Sequence, residues 1–128
     1  MLKAIKQLLE RNRYAIAASF TLLIIFLSLA PTSKAIDVID VSDKTLHAFA
    51  YFVLALSWIF AIKSSHTLLK QKVSIGFFVL LLSILLEILQ ESLTDYRTAD
   101  YLDIIANTLG IIFAIVSFKY LLRLYNTI

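Results

Sequence analysis

The chain has 128 residues, 60% of them hydrophobic, with a mean hydropathy of +0.86 and a formal net charge of +3. A soluble domain of this size has too little interior to hide so much apolar surface, so the composition excludes a soluble globular protein and points to a small integral membrane protein. There is no cysteine, which removes disulfides, thiol chemistry and thiolate metal sites, and the 12 basic residues flank apolar runs instead of forming a nucleic-acid-binding patch.

Four apolar runs, 14–30, 46–62, 73–89 and 104–122, are each about long enough to cross the ~30 Å hydrocarbon core of a bilayer. They are continuous and lack the alternation of a membrane barrel, so they predict an all-α polytopic fold: four transmembrane helices in one compact bundle, a single domain over 1–128. The first run follows a basic stretch, and Ser28-Leu29-Ala30 or Ser33-Lys34-Ala35 imitates a signal-peptide cleavage site. The run is longer than the apolar core of a usual signal peptide and Pro31 follows the first candidate cut, so it reads as a retained span that Pro31 ends. Lys3, Lys6, Arg11, Arg13, Lys63, Lys70, Lys72, Lys119 and Arg123 gather on one side, against Lys34, Lys44 and Arg97 on the other. The positive-inside rule then places both termini in the cytoplasm, with segments 35–43 and 91–100 outside. Asp37, Asp40, Asp43, Glu87, Glu91, Asp95, Asp100 and Asp103 also fall on or near the outer side. Acidic residues orient a chain only weakly, so that asymmetry calls for a structural or functional reason.

The second run opens with Ser42, a candidate helix cap, and Asp43, which suits the positive end of the helix dipole. Asp43, His47 and Tyr51 recur at i, i+4 and i+8 and share one face. Each of the deeper two has a plain reading, His47 as an imidazole satisfied by a neighbouring helix and Tyr51 as an interfacial aromatic; their common face argues for more. In the third run Glu87, Gln90 and Glu91 share a face, and Glu87 lies inside the apolar boundary. The fourth run begins Arg97-x-x-Asp100-x-x-Asp103-x-x-x-Asn107-x-x-Gly110, a stripe in which Asn107 is an ordinary interhelical hydrogen bonder. Gly110, with Ala106 and Ala114, lets another helix approach closely. Ionisable groups at membrane depth cost roughly 2.5–3.5 kcal/mol each on insertion scales, so this concentration is either a site or a helix-to-helix lock.

The blocks Asp43-Lys44-x-x-His47-x-Phe49-x-Tyr51, Glu87-x-x-Gln90 and Arg97-x-x-Asp100-x-x-Asp103-x-x-x-Asn107-x-x-Gly110 together resemble the VanZ-like family of small bacterial membrane proteins. Ala114 stands where that family often repeats a glycine, and Asp95-Tyr96 where a turn-forming glycine is common. The resemblance implies a polytopic bacterial envelope protein whose founding member is associated with low-level teicoplanin resistance; it implies no biochemical activity.

Two readings of the polar residues stay open. In one, three helix ends form a shallow outward-facing pocket: His47, Glu87 and Asp103 as an acid–base cluster, and Lys44, Tyr51, Gln90, Arg97 and Asn107 as ligand-binding residues. Lys44 and Arg97 suit an anionic lipid head group or a lipid-linked wall precursor. No serine or threonine stands beside the His–Glu pair in these blocks, so a serine-hydrolase arrangement is unsupported. His47, Glu87 and Asp103 also offer hard metal donors, with neither a metal nor any other cofactor assigned. In the other reading Lys44 and Arg97 neutralise carboxylates such as Glu87 and Asp103, and the protein is a non-catalytic module acting through an unidentified partner. A transporter ranks third, since four short spans without broken helices leave little room for alternating access.

Overall fold

The computed structural model describes residues 1–30, 43–63, 68–93 and 99–128. Among them the backbone forms five helices: α1 (Leu2–Arg11), α2 (Arg13–Leu29), α3 (Asp43–Ile62), α4 (Leu69–Leu93) and α5 (Tyr101–Thr127). The expected cap at Ser42, and Pro31, Lys34, Asp95 and Arg97, lie outside the described residues.

Each apolar run falls on a helix, but the boundaries differ. α4 and α5 extend past 73–89 and 104–122 at both ends, because charged and amphipathic residues continue the helix where hydropathy has already fallen. α3, α4 and α5 are each long and apolar enough to cross a membrane. α2 has 17 residues, about 25 Å, which falls short of the ~30 Å core. A fourth span therefore counts only if α1 and α2, bent by 70° where they meet, are taken together. The bend has a local cause. Asn12 leaves the helical region (φ −107°, ψ 15°), and the Leu8 carbonyl accepts both its backbone N–H at 3.1 Å and its side-chain amide at 2.9 Å, which closes α1 there.

α3 is the hub, packed against α2, α4 and α5, with its most extensive seam along α5. That seam is close because α5 presents buried Ala106, Gly110 and Ala114 to it. A Cβ added to Gly110 would overlap the carbonyl oxygen of Ala48, so the two backbones touch there. Below this contact Tyr51, Leu54, Ala55, Val79, Leu86, Ile111 and Ala114 form the apolar core. α2 is held on one side by Trp58, whose Nε1–H donates to Thr21 Oγ1 at 2.9 Å, and near its end by Gln90, which donates to the Ser28 carbonyl at 2.9 Å. Only 28–33% of the most apolar window of each long helix is buried within the protein. Phe26, Phe78, Leu109, Phe113 and Val116 face outward. Water would not tolerate such a continuous apolar surface, whereas lipid tails solvate it.

The opposite end is closed by a second polar contact that the sequence reading does not contain. Glu10 of α1 accepts from Lys63 at 3.1 Å and from the Tyr125 hydroxyl at 3.1 Å, binding α1 to the ends of α3 and α5. Lys6 stands 4.7 Å above the Tyr125 ring, and an open cleft of about 530 Å³ lies between α1 and the end of α5.

Candidate functional site

The start of α3, the end of α4 and the start of α5 meet at one end of the bundle. The i, i+4, i+8 face of α3 turns toward α5, as its spacing predicts. Lys44 Nζ donates to Asp100 Oδ2 at 2.8 Å and also to Asp103 Oδ1. Asp100 caps α5, its carboxylate accepting from the Leu102 backbone N–H at 2.9 Å. Lys44 and that N–H hold the Asp100 carboxyl below its usual range. Glu87, only 4% exposed, accepts the Asp100 backbone N–H at 3.0 Å, so a side chain of α4 satisfies one free donor at the start of α5.

His47 is the centre of the arrangement. Its Nδ1 lies 3.2 Å from Asn107 Oδ1. Its Nε2 lies 3.7 Å from Asp43 Oδ1 and 3.7 Å from Asp103 Oδ2, near two carboxylates and in hydrogen-bond range of neither. Asn107 in turn donates through Nδ2 to Ser83 Oγ at 2.7 Å, and both residues are 1% exposed. Tyr51, equally enclosed, interacts with the same serine hydroxyl. The result is a continuous polar column, from exposed Asp43 through His47 and Asn107 to Ser83 in the core. Among the described residues, every buried side-chain nitrogen and oxygen in it has a partner.

His47, Asp103, Asn107, Lys44 and Tyr51 are thus brought to one column, and Glu87 adjoins it across the Asp100 N–H. Gln90 shares a helix face with Glu87, yet its amide bonds to Ser28 of α2. Arg97 lies outside the described residues. Lys44 pairs with Asp100 and Asp103, not with Glu87, because Glu87 is already turned to the backbone of α5. Sequence reasoning missed Ser83 as a member. The available signal was its position four residues before Glu87, which puts both on one face of α4. It also placed Asp43 and Asp100 on the right helix faces but left them out of the pocket, whereas both reach the cluster. Among the described residues the cluster gathers four acidic side chains, Asp43, Glu87, Asp100 and Asp103, against Lys44 and the imidazole of His47, so acids outnumber bases there.

Long apolar helices with lipid-compatible outer faces, joined at one end by a buried polar column, define a helical membrane protein. The VanZ/LLP1 family profile matches residues 4–123, and the chain belongs to that family. No curated protein and no solved structure matches it.

Proposed function

We infer that the protein is a multi-pass inner-membrane protein, its fourth crossing supplied by the bent α1–α2 pair with α1 lying at the cytoplasmic surface, and that its polar column opens outward to bind the head group of an envelope lipid or lipid-linked wall precursor. The distribution of lysine and arginine supports this orientation. The observation that carries the reading is the uncommitted side of His47. A purely structural lock uses up the hydrogen-bonding capacity of its members, yet Nε2 of this 22%-exposed side chain stands 3.7 Å from both carboxylates at the mouth of the column. His47, Glu87 and Asp103 form the candidate proton-handling group, with Lys44, Tyr51 and Asn107 shaping its wall. Arg97, from the segment between α4 and α5, is a candidate phosphate contact, and Gln90 orients α2 beside the site. Membership of the family supports a link to glycopeptide resistance as the accompanying phenotype.

The competing reading, a closed interhelical network acting through a partner protein, is favoured by the full satisfaction of buried polar groups among the described residues. Lipid analysis separates the two. Wild-type protein purified after gentle delipidation should retain an envelope lipid enriched over the bulk membrane, and His47→Gln should lose that enrichment while keeping its melting temperature. A retained-lipid profile identical to the bulk membrane in both proteins would overturn the head-group reading in favour of the network.

A further inference from the structure

We propose that Asp43, His47 and Asp103 bind a divalent transition-metal ion of the zinc or manganese type at the mouth of the polar column. The inference rests on the reading of this cluster as a ligand site. It also identifies what can hold an anionic head group against a surface dominated by carboxylates.

Three observations converge. The donor atoms of Asp43, His47 and Asp103 all lie within 4.8 Å of one another. His47 Nε2 is 3.7 Å from each carboxylate oxygen. Donors on a tetrahedral zinc with bonds of 2.0–2.2 Å stand about 3.4 Å apart, so the two contacts of His47 are already near that spacing and the carboxylate oxygens would draw together around a shared ion. An imidazolium N–H would instead be drawn to one carboxylate at about 2.7–2.9 Å. His47 Nε2 stands equally far from both oxygens, which themselves lie within 4.8 Å of each other, so all three atoms surround one small space.

The second observation is the other ring nitrogen. Asn107 donates its amide N–H to Ser83, which leaves its oxygen toward His47 Nδ1. That oxygen can only accept, so Nδ1 carries a proton, and the neutral ring a metal requires would present its Nε2 lone pair to the carboxylates. A histidine ligand whose second nitrogen donates to a fixed oxygen is the usual support of a metal site. Here the support is anchored in the core, since Asn107 and Ser83 are each 1% exposed.

The third observation is the division of Asp103. Its Oδ1 is taken by Lys44, which also binds Asp100, while its Oδ2 faces His47. Lys44 therefore orients the carboxylate, and since it lies 3.9 Å from Asp43 Oδ2 as well, Asp43 Oδ1 and Asp103 Oδ2 are the oxygens left facing His47. One nitrogen and two oxygens suit zinc or manganese better than the all-oxygen preference of calcium or magnesium. Three protein donors also leave coordination positions open for water or a phosphate oxygen.

The test is metal binding by the tag-free full chain in detergent, stripped with chelator and free of added lipid, so that it reports independently of head-group retention. Equilibrium dialysis should find one Zn²⁺ or Mn²⁺ per chain, undiminished by excess Mg²⁺. His47→Gln and Asp103→Asn should weaken it strongly, and Asn107→Leu by about 10-fold or more, as support residues do. Asp43→Asn keeps the test open if those variants fold poorly: Asp43 is exposed, so its loss should reduce affinity without affecting the melting temperature. His66→Gln, at the only other histidine, should bind as wild type does. Absence of stoichiometric binding, or equal affinity in Asp43→Asn and wild type, would overturn the proposal. Loss of metal binding with lipid enrichment intact would sink the metal alone; the reverse would sink the head-group reading alone.

Discussion

Glu87 is a buried acid that accepts the Asp100 backbone N–H and lies against the Asp103 carboxyl, and this decides how its variants should behave. If Lys44 were its counter-ion, Glu87→Gln would orphan a charge. Instead Lys44 is held by Asp100 and Asp103, and a glutamine oxygen can still accept the Asp100 N–H at the 3.0 Å site. Glu87→Gln should thus change stability by less than about 1 kcal/mol, as changes that preserve a hydrogen bond usually do. Glu87→Ala removes the acceptor and should cost about 1–3 kcal/mol. Thermal unfolding of the two variants in the same detergent checks this. Equal, large losses would mean that the charge itself is structural. If Glu87 also handles protons for a ligand, Glu87→Gln should abolish the envelope phenotype while the bundle stays folded.

At the scale of the element, α1 is the helix held by the least. Its attachment is Glu10, whose carboxyl is opposed by burial but stabilised as a carboxylate by Lys63 and Tyr125, with a net lowering from its ordinary 4.5. A lowered folded-state value means that this attachment contributes fully above the ordinary value and is lost as pH falls through the lowered one. The chain has no cysteine, so a nitroxide on Gln7→Cys reports α1 cleanly. It should be immobile at pH 7 and loosen once the pH falls below the ordinary carboxylate range, whereas Glu10→Gln should be loose throughout. A label equally immobile in both proteins would show that α1 is held by other means. This contact also shows what could be read in advance. The four helical runs, the shared faces of Asp43–His47–Tyr51 and Asp103–Asn107–Gly110, and the close approach at Gly110 are local periodicities, and they were legible. The 70° bend at Asn12, the turn of Gln90 toward Ser28 and the meeting of Glu10 with Tyr125 were not. They depend on which helices become neighbours. Ser83 escaped notice because an uncharged serine in an apolar run costs little and leaves no mark in hydropathy.

For the whole molecule, the placement of charge makes a direct statement about sidedness. Ala99→Cys, beside the polar column, should react with a membrane-impermeant maleimide in intact cells, and Asn126→Cys, at the end of α5, only after permeabilisation. The opposite pattern would reverse the bundle and remove the outward-facing site. Sidedness says where the column opens; the seam between α3 and α5 says how wide it is. His47 adjoins Ala48 along α3, and Asn107 lies one turn from Gly110 along α5, so the point where the backbones meet is almost level with the donors. The missing methyl group of Gly110 works as a shim left out of a vice. Its omission lets the two jaws close to the spacing at which an imidazole and a carboxylate from different helices address the same point, and every larger residue there would open them without altering a single polar atom.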